Sequence, residues 1–167
     1  MALEIERRFL VQADGWRSHV SRSQPLRQGY LVAGPDGFTV RVRLSELEAW
    51  LTLKAAASAD GLVRHEFEYP IPLSDAADLL AICPWQLAKT RHHLDLEGGE
   101  WVLDAFEGGN APLLVAEVEL DRAGQLITLP AWCGLEITGR QELSNAALAR
   151  RPLASWSGSE QRALLNP

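Results

Sequence analysis

Two pairs of carboxylates stand two residues apart: Glu4 and Glu6 in LEIERRFLV (3–11), and Glu117 and Glu119 in LVAEVEL (114–120). On an extended strand, residues i and i+2 point to one side and lie about 6.5–7 Å apart. Each pair therefore offers two hard oxygen donors on one face, and Asp104 adds a fifth carboxylate. Such a set suits Mg²⁺ or Mn²⁺, which take a few carboxylates and keep room for water and substrate phosphates. Cations occupy equivalent alternate positions: Arg8 follows Glu4 and Glu6 on the first segment, and Arg41, Arg43, Lys54, Arg64, Lys89 and Arg91 stand on others. Arginine forks grip phosphate oxygens bidentately, and lysine acts as a point charge. Together these residue types describe a polyphosphate and its metal.

The elements that must position them are mostly strands. Period-two alternation predicts strands near 3–11, 25–33, 38–44, 48–54, 62–71, 87–96, 100–107 and 113–120, and a short one near 134–138. Turn-forming clusters separate them, such as AGPDG (33–37) and EGGN (107–110). Helices are expected at 74–82, with Ser74 as the cap, and at 141–150, with a helical turn near 14–20. On each strand one alternate set is apolar and the other charged. Val40, Val42 and Leu44 oppose Arg41 and Arg43, for example, and Arg64, Glu66 and Glu68 oppose His65, Phe67 and Tyr69.

Two arrangements satisfy this pattern. The charged faces could be the wet side of an ordinary sheet, or they could line a closed antiparallel barrel as a polar tunnel. In the second arrangement the apolar outer face is covered by the helices. Buried charges of both signs cost several kcal/mol each, and a bound polyanion with its metals would offset that cost.

Bulk properties narrow the function classes. The chain has 167 residues and a formal net charge of −6. One globular domain over 1–156 with a frayed tail at 157–167 is expected. A net negative chain is a poor non-specific binder of nucleic acid or anionic membrane, so neither is expected as a partner. Cys83 and Cys133 have no metal-type spacing and form no disulfide framework. With no signal-peptide pattern and no long apolar run, a cytoplasmic location is expected. His92 and His93 are adjacent and would face opposite sides of a strand. There is no P-loop and no nucleophile elbow.

The motifs EIERRFLV (4–11), RQGYL (27–31), TVRVR (39–43), LTLK (51–54), RHEFE (64–68), KTR (89–91), LDAF (103–106) and VAEVEL (115–120) follow one another in an order that resembles the CYTH, or triphosphate tunnel metalloenzyme, superfamily. The resemblance implies an α+β, mainly β fold: a closed eight-stranded antiparallel barrel with a charged interior and flanking helices. It implies metal-dependent hydrolysis of a triphosphate, most similar to the small members acting on inorganic tripolyphosphate. Other members process nucleotides or thiamine triphosphate as cyclases or triphosphatases, and a non-catalytic polyphosphate-binding protein is a further alternative. Carried onto this chain, Glu4, Glu6, Asp104, Glu117 and Glu119 hold Mg²⁺ or Mn²⁺. Arg8, Arg41, Arg43, Lys54, Lys89, Arg91 and Tyr30 contact the triphosphate. Glu4, Glu6, Arg8 and Lys89 form the catalytic set, with Arg64, Glu66 and Glu68 behind them. A triphosphate-containing small molecule is the expected partner, and the protein is expected to be a monomer or homodimer. The chain departs from the family pattern twice: Arg8 replaces a lysine, and RQELSN (140–145) replaces an Asp-x-Arg-Tyr-x-Asn run, keeping only Asn145.

Overall fold

The alternating segments fold into nine antiparallel strands, described here from a computed structural model that covers residues 3–165. They are β1 (Leu3–Val11), β2 (Val20–Ala33), β3 (Thr39–Leu44), β4 (Ala49–Ala56), β5 (Val63–Pro70), β6 (Trp85–Leu94), β7 (Glu100–Phe106), β8 (Leu114–Glu119) and β9 (Cys133–Glu136). The sheet order is β5-β4-β3-β2-β6-β7-β8-β1-β9. β1 also pairs with β5 through Leu3↔His65, Glu4↔Arg64 and Ile5↔Val63, which closes eight strands into a barrel. β9 takes the remaining part of that β1 edge, opposite Phe9 and Val11. The expected closed eight-stranded barrel is therefore present, with charged residues facing in.

Register decides which charges meet. β1 against β8 sets Glu6 opposite Glu119 and Arg8 opposite Glu117. β6 against β7 sets Arg91 opposite Asp104, and β4 against β5 sets Lys54 opposite Glu66. Like charges opposite one another destabilise a sheet, so the Glu6–Glu119 pair has a cost that the other three do not.

The inward pattern changes from charged to apolar along several strands. On β1, Glu4, Glu6 and Arg8 give way to Leu10, and on β7 Asp104 gives way to Phe106. Leu10, Leu87, Phe106 and Val115 meet Leu143, Leu148, Leu153 and Leu164 in one buried cluster. This apolar packing brings α2 (Asn145–Arg150) onto the barrel. A second cluster covers the outer face of β1, β7 and β8 around Phe9, Trp16, Trp101 and Trp132. The third lies under α1 (Leu73–Ile82), where Ala76 and Leu80 pack on Val42 and Ala49. Gly29 of β2 permits that contact. A Cβ there would stand 2.6 Å from Cys83 Sγ and 2.8 Å from Leu80 Cδ2, inside van der Waals distance.

Four local expectations differ from the structure. β2 begins at Val20 rather than 25, and β6 pairs with it through Arg22↔His93 and Gln24↔Arg91. Pro25 hides this extension in the sequence, yet β3 pairs with β2 only from Arg27 onward. Pro25 thus has β6 as its only neighbour, where a missing N–H need not break a central ladder. The 141–150 helix is interrupted: Gln141–Leu143 is a 3₁₀ turn, and Ser144 then caps α2 by accepting the Ala147 N–H at 3.1 Å. Pro72, not Ser74, occupies the cap position of α1. Residues 166–167 lie outside the described residues, and within the segment expected to fray Gly158–Leu165 forms α3. It is held by buried Leu164, by an Arg151–Glu160 ion pair at 2.9 Å and by Gln161 Nε2 donating to the Leu153 carbonyl.

Candidate functional site

A cavity of about 780 Å³ runs through the barrel. It extends from the β2–β3 turn (33–37) and α2 to the start of β7 at Gly99–Val102. Its charged lining comprises eight cations (Arg8, Arg22, Arg41, Arg43, Lys54, Arg64, Arg91, Arg150) and six carboxylates (Glu4, Glu6, Glu66, Glu100, Glu117, Glu119). Most of the residues singled out from the sequence therefore do share one space. Arg22, Glu100 and Arg150 were not anticipated. Arg150 projects from α2, donates to the Ala33 carbonyl at 3.2 Å and stacks over Trp85 at 4.8 Å.

The charges are sorted by wall. On the β3–β4–β5 side, Arg41 donates to Thr52 and Glu68, and Arg43 donates to Glu68 at 3.1 Å. Lys54 Nζ lies 2.6 Å from Glu4 and 2.8 Å from Glu66. Glu66 and Glu68 are thus bound to Lys54, Arg41 and Arg43, while Arg64 reaches across to the Gly37 carbonyl at 3.0 Å. On the β6–β7–β8 side, Arg91 donates to both oxygens of Asp104 at 2.8 Å and to Glu117 at 2.8 Å. Arg8 donates to Glu117 at 3.1 Å and to the Leu143 carbonyl at 3.1 Å. Arg8 therefore ties β1 to the segment before α2, and its Nη2 is buried without a partner.

Two of the predicted residues sit behind the wall rather than on it. Asp104 is fully buried and binds Lys89 Nζ as well as Arg91. Lys89 is 1% exposed and also donates to Asn145 Oδ1 at 3.3 Å. Burial pushes the Lys89 ammonium down to about 8 while Asp104 pulls it up. Burial would raise the Asp104 carboxyl, but Arg91 and Lys89 overcome it and hold the group well below the carboxylate range. Both Asp104 oxygens accept from cations here, so Asp104 anchors Lys89 and Arg91. Tyr30 lines the cavity, and its buried hydroxyl accepts from Gln28 Nε2 at 3.2 Å.

The remaining carboxylates are not neutralised. Burial, then Glu117 and Glu4, push Glu6 up to about 7. Glu119 is raised by burial and by Glu4, Glu100, Glu66 and Glu6. Among the described residues no three acidic, His or Cys side chains stand in a finished ligand set. The donors fit a cation that completes its sphere with water and phosphate oxygens, as Mg²⁺ does, and their mutual repulsion is what such a cation would relieve.

This repulsion has a pH signature. Glu6 titrates at 4.5 in the unfolded chain and about 7 in the fold. Between those values the folded state keeps a proton that the unfolded state has lost, so stability falls as pH rises, by up to ~1.4 kcal/mol per pH unit. The raised Glu4 and Glu119 act in the same direction, and the lowered Glu66, Glu68, Glu117 and Asp104 act below this window. Metal-free protein is expected to melt at lower temperature at pH 8 than at pH 5.5, with a flatter profile in Glu6→Gln. Calorimetric scans across that range check it, and a flat wild-type profile would contradict it.

The rewired 140–145 segment pairs with itself. Arg140 Nη2 lies 2.7 Å from Glu142 Oε1, with side chains 40% and 49% exposed. Exposed pairs contribute about 0–1 kcal/mol. Arg140→Ala is expected to change stability by less than about 0.5 kcal/mol and leave activity unaltered. Gln141, Ser144 and Asn145 of this segment line the cavity.

Comparison with known proteins agrees with this architecture. The family model for the CYTH domain matches residues 2–151. An inorganic triphosphatase from Acetivibrio thermocellus is 34% identical over 158 residues, covering 93% of this chain and 99% of the relative. An inorganic triphosphatase from Nitrosomonas europaea is 38% identical over 152 residues, covering 87% and 96%. A crystal structure of an inorganic triphosphatase superposes with a TM-score of 0.62 at 34% identity, over 95% of this chain and 99% of that one. No helix among the described residues is long and apolar enough to cross a membrane. With the matched model spanning nearly all of the barrel and α2, this chain belongs to the CYTH domain family.

Proposed function

We propose that the barrel is the active site of a triphosphatase that hydrolyses inorganic tripolyphosphate to pyrophosphate and orthophosphate with Mg²⁺ or Mn²⁺. One observation carries the reading: a chain of net charge −6 keeps eight cations against six carboxylates around its central cavity. The cations run along the space, while uncompensated acid gathers around Glu6 and Glu119. A linear polyanion with a divalent cation has that charge distribution. Relatives named inorganic triphosphatase, similar over nearly the whole chain, support it.

In this reading Arg41, Arg43 and Arg91 grip phosphate oxygens, with Arg8 and Lys54 at either side. Asp104 and Glu117 fix the direction of the Arg91 fork, and pre-set donors cost little reorganisation when charge moves toward the bridging oxygen. Glu4, Glu6 and Glu119 would hold a divalent ion, which would supply charge neutralisation at the phosphates. Water attacks the terminal phosphorus, the P–O–P bond breaks, and pyrophosphate leaves with the bridging oxygen. Glu6 orients the attacking water, whose proton passes to the phosphate products.

The test is phosphate release from tripolyphosphate, pyrophosphate, ATP and thiamine triphosphate, each with Mg²⁺, Mn²⁺ or chelator. Tripolyphosphate is expected to have the highest kcat/KM, with activity lost in chelator. Preference for ATP or thiamine triphosphate would overturn the substrate, and binding without turnover would overturn the enzyme.

A further inference from the structure

A second cavity, about 190 Å³, lies toward the β3–β4 turn, at the end of β3 opposite the β2–β3 turn. It shares Arg22, Arg43, Arg91 and His93 with the main cavity. Those four side chains form the boundary between the two spaces. Trp50 and Leu26 make its apolar wall.

The boundary is cationic beyond what its carboxylates offset. Arg91 is committed to Asp104 and Glu117. Arg43 shares Glu68 with Arg41. Arg22 forms no ion pair among the described residues; its Nη2 lies 2.9 Å from His93 Nε2. A guanidinium can only donate, so His93 accepts and its ring is neutral in this arrangement. Glu48, exposed on the turn, is the other carboxylate on the rim. Burial, then the neighbouring Arg41 and Arg91, push Arg43 down to about 10. Arginine forks this poorly balanced bind phosphate oxygens.

We propose that this side cavity is a subsite for one further phosphoryl group, beyond the three held in the main cavity, with Arg22 as its principal donor. It rests on the triphosphatase reading of the main cavity and deepens it by assigning chain-length selectivity. The group has two possible sources of one chemistry: the fourth phosphoryl of an inorganic tetraphosphate, or orthophosphate released in turnover. Both present a tetrahedral oxyanion to the same guanidinium. His93 holds Arg22 across the strand pair, and an oxyanion between Arg22 and Arg43 would replace that neutral acceptor with a charged one. Trp50 and Leu26 offer the anion no charged group, so its cationic partners are Arg22, Arg43 and Arg91.

The test compares wild type, Arg22→Gln and Arg22→Lys, each shown to melt as a folded protein. Steady-state kinetics give the ratio of kcat/KM for tetraphosphate over tripolyphosphate and the orthophosphate inhibition constant. Calorimetric titration gives orthophosphate affinity without turnover. Arg22→Gln is expected to lower the ratio or the orthophosphate affinity about tenfold, with Arg22→Lys recovering part of the loss. A drop in the ratio alone assigns the site to the fourth phosphoryl, and a drop in orthophosphate affinity alone assigns it to the released ion. Both quantities within twofold of wild type would overturn the subsite. If wild type hydrolyses no polyphosphate, the triphosphatase reading fails, and the orthophosphate titration still decides this one.

Discussion

Glu6→Gln is expected to lower tripolyphosphate hydrolysis by about 10²–10⁴-fold, the usual range for losing a group positioned on the reacting water, while raising the melting temperature of the metal-free protein at pH 8. The two effects share one cause. Glu6 faces Glu119 across β1 and β8, and burial together with Glu117 and Glu4 holds its proton up to about 7. An amide keeps the shape, removes the charge and relieves the repulsion. A structural residue would lose stability and activity together; opposite signs mark a group retained for chemistry at a cost in stability. Glu119→Gln should lower activity by at least about 10–100-fold, the range already seen for losing an outer partner of a metal site, and raise the Mg²⁺ or Mn²⁺ concentration needed for half-maximal rate. Phosphate release over a metal titration and scanning calorimetry of the metal-free variants are the measurements. Near-wild-type rates in both variants would remove the acidic wall from the reaction.

The strands and their charged faces were legible because side chains alternate with a period of two, so a one-residue slip would put every charge on the wrong side. Closure into a barrel came from the family resemblance of the ordered motifs, because the alternation also fits the wet face of an open sheet. The alternation placed Glu4, Glu6, Arg41, Arg43 and Lys54 on the charged faces before any contact was known, and the structure brings them to one cavity. It could not say what each charge would find there. Asp104 reads as an oxygen donor by residue type, yet register sets it against Arg91, and Lys89 closes its other side. Partnership across strands is a property of pairing, which no single segment encodes. Arg22 was hidden because VSRSQP offers few apolar residues and ends in proline, signals that ordinarily stop a strand. Arg150 was hidden differently. Its segment was expected to be helical, but only the packing of Leu143, Leu148 and Leu153 into the barrel end turns that helix toward the cavity. The ordered end at 158–165 rests on Leu164 and the Arg151–Glu160 pair, a tertiary dock too short to show a period.

Asp104→Ala is expected to cost about 3–5 kcal/mol, because removing one member of a buried ion pair leaves the partners charged without compensation. Lys89 would retain only Asn145 Oδ1 at 3.3 Å, and burial already pushes its ammonium down to about 8. Arg91 would keep Glu117 alone, and its fork would lose the bidentate contact that sets its direction. Asp104→Asn separates charge from shape: it keeps an acceptor near Lys89 and should lose less stability than alanine. The double variant Asp104→Leu/Lys89→Met removes both charges and should be more stable than Asp104→Ala, since an apolar pair of similar size replaces a cation stranded in the interior. Activity should not follow that recovery. Arg91 faces the cavity and would remain misdirected in the double variant, so the KM for tripolyphosphate should stay raised while the denaturation midpoint returns toward wild type. Urea unfolding with steady-state kinetics on the three variants distinguishes the cases. An Asp104→Ala cost below about 1 kcal/mol would show that the buried triad holds neither Lys89 nor the barrel wall, and a double variant with wild-type KM would show that Arg91 is aimed by Glu117 alone.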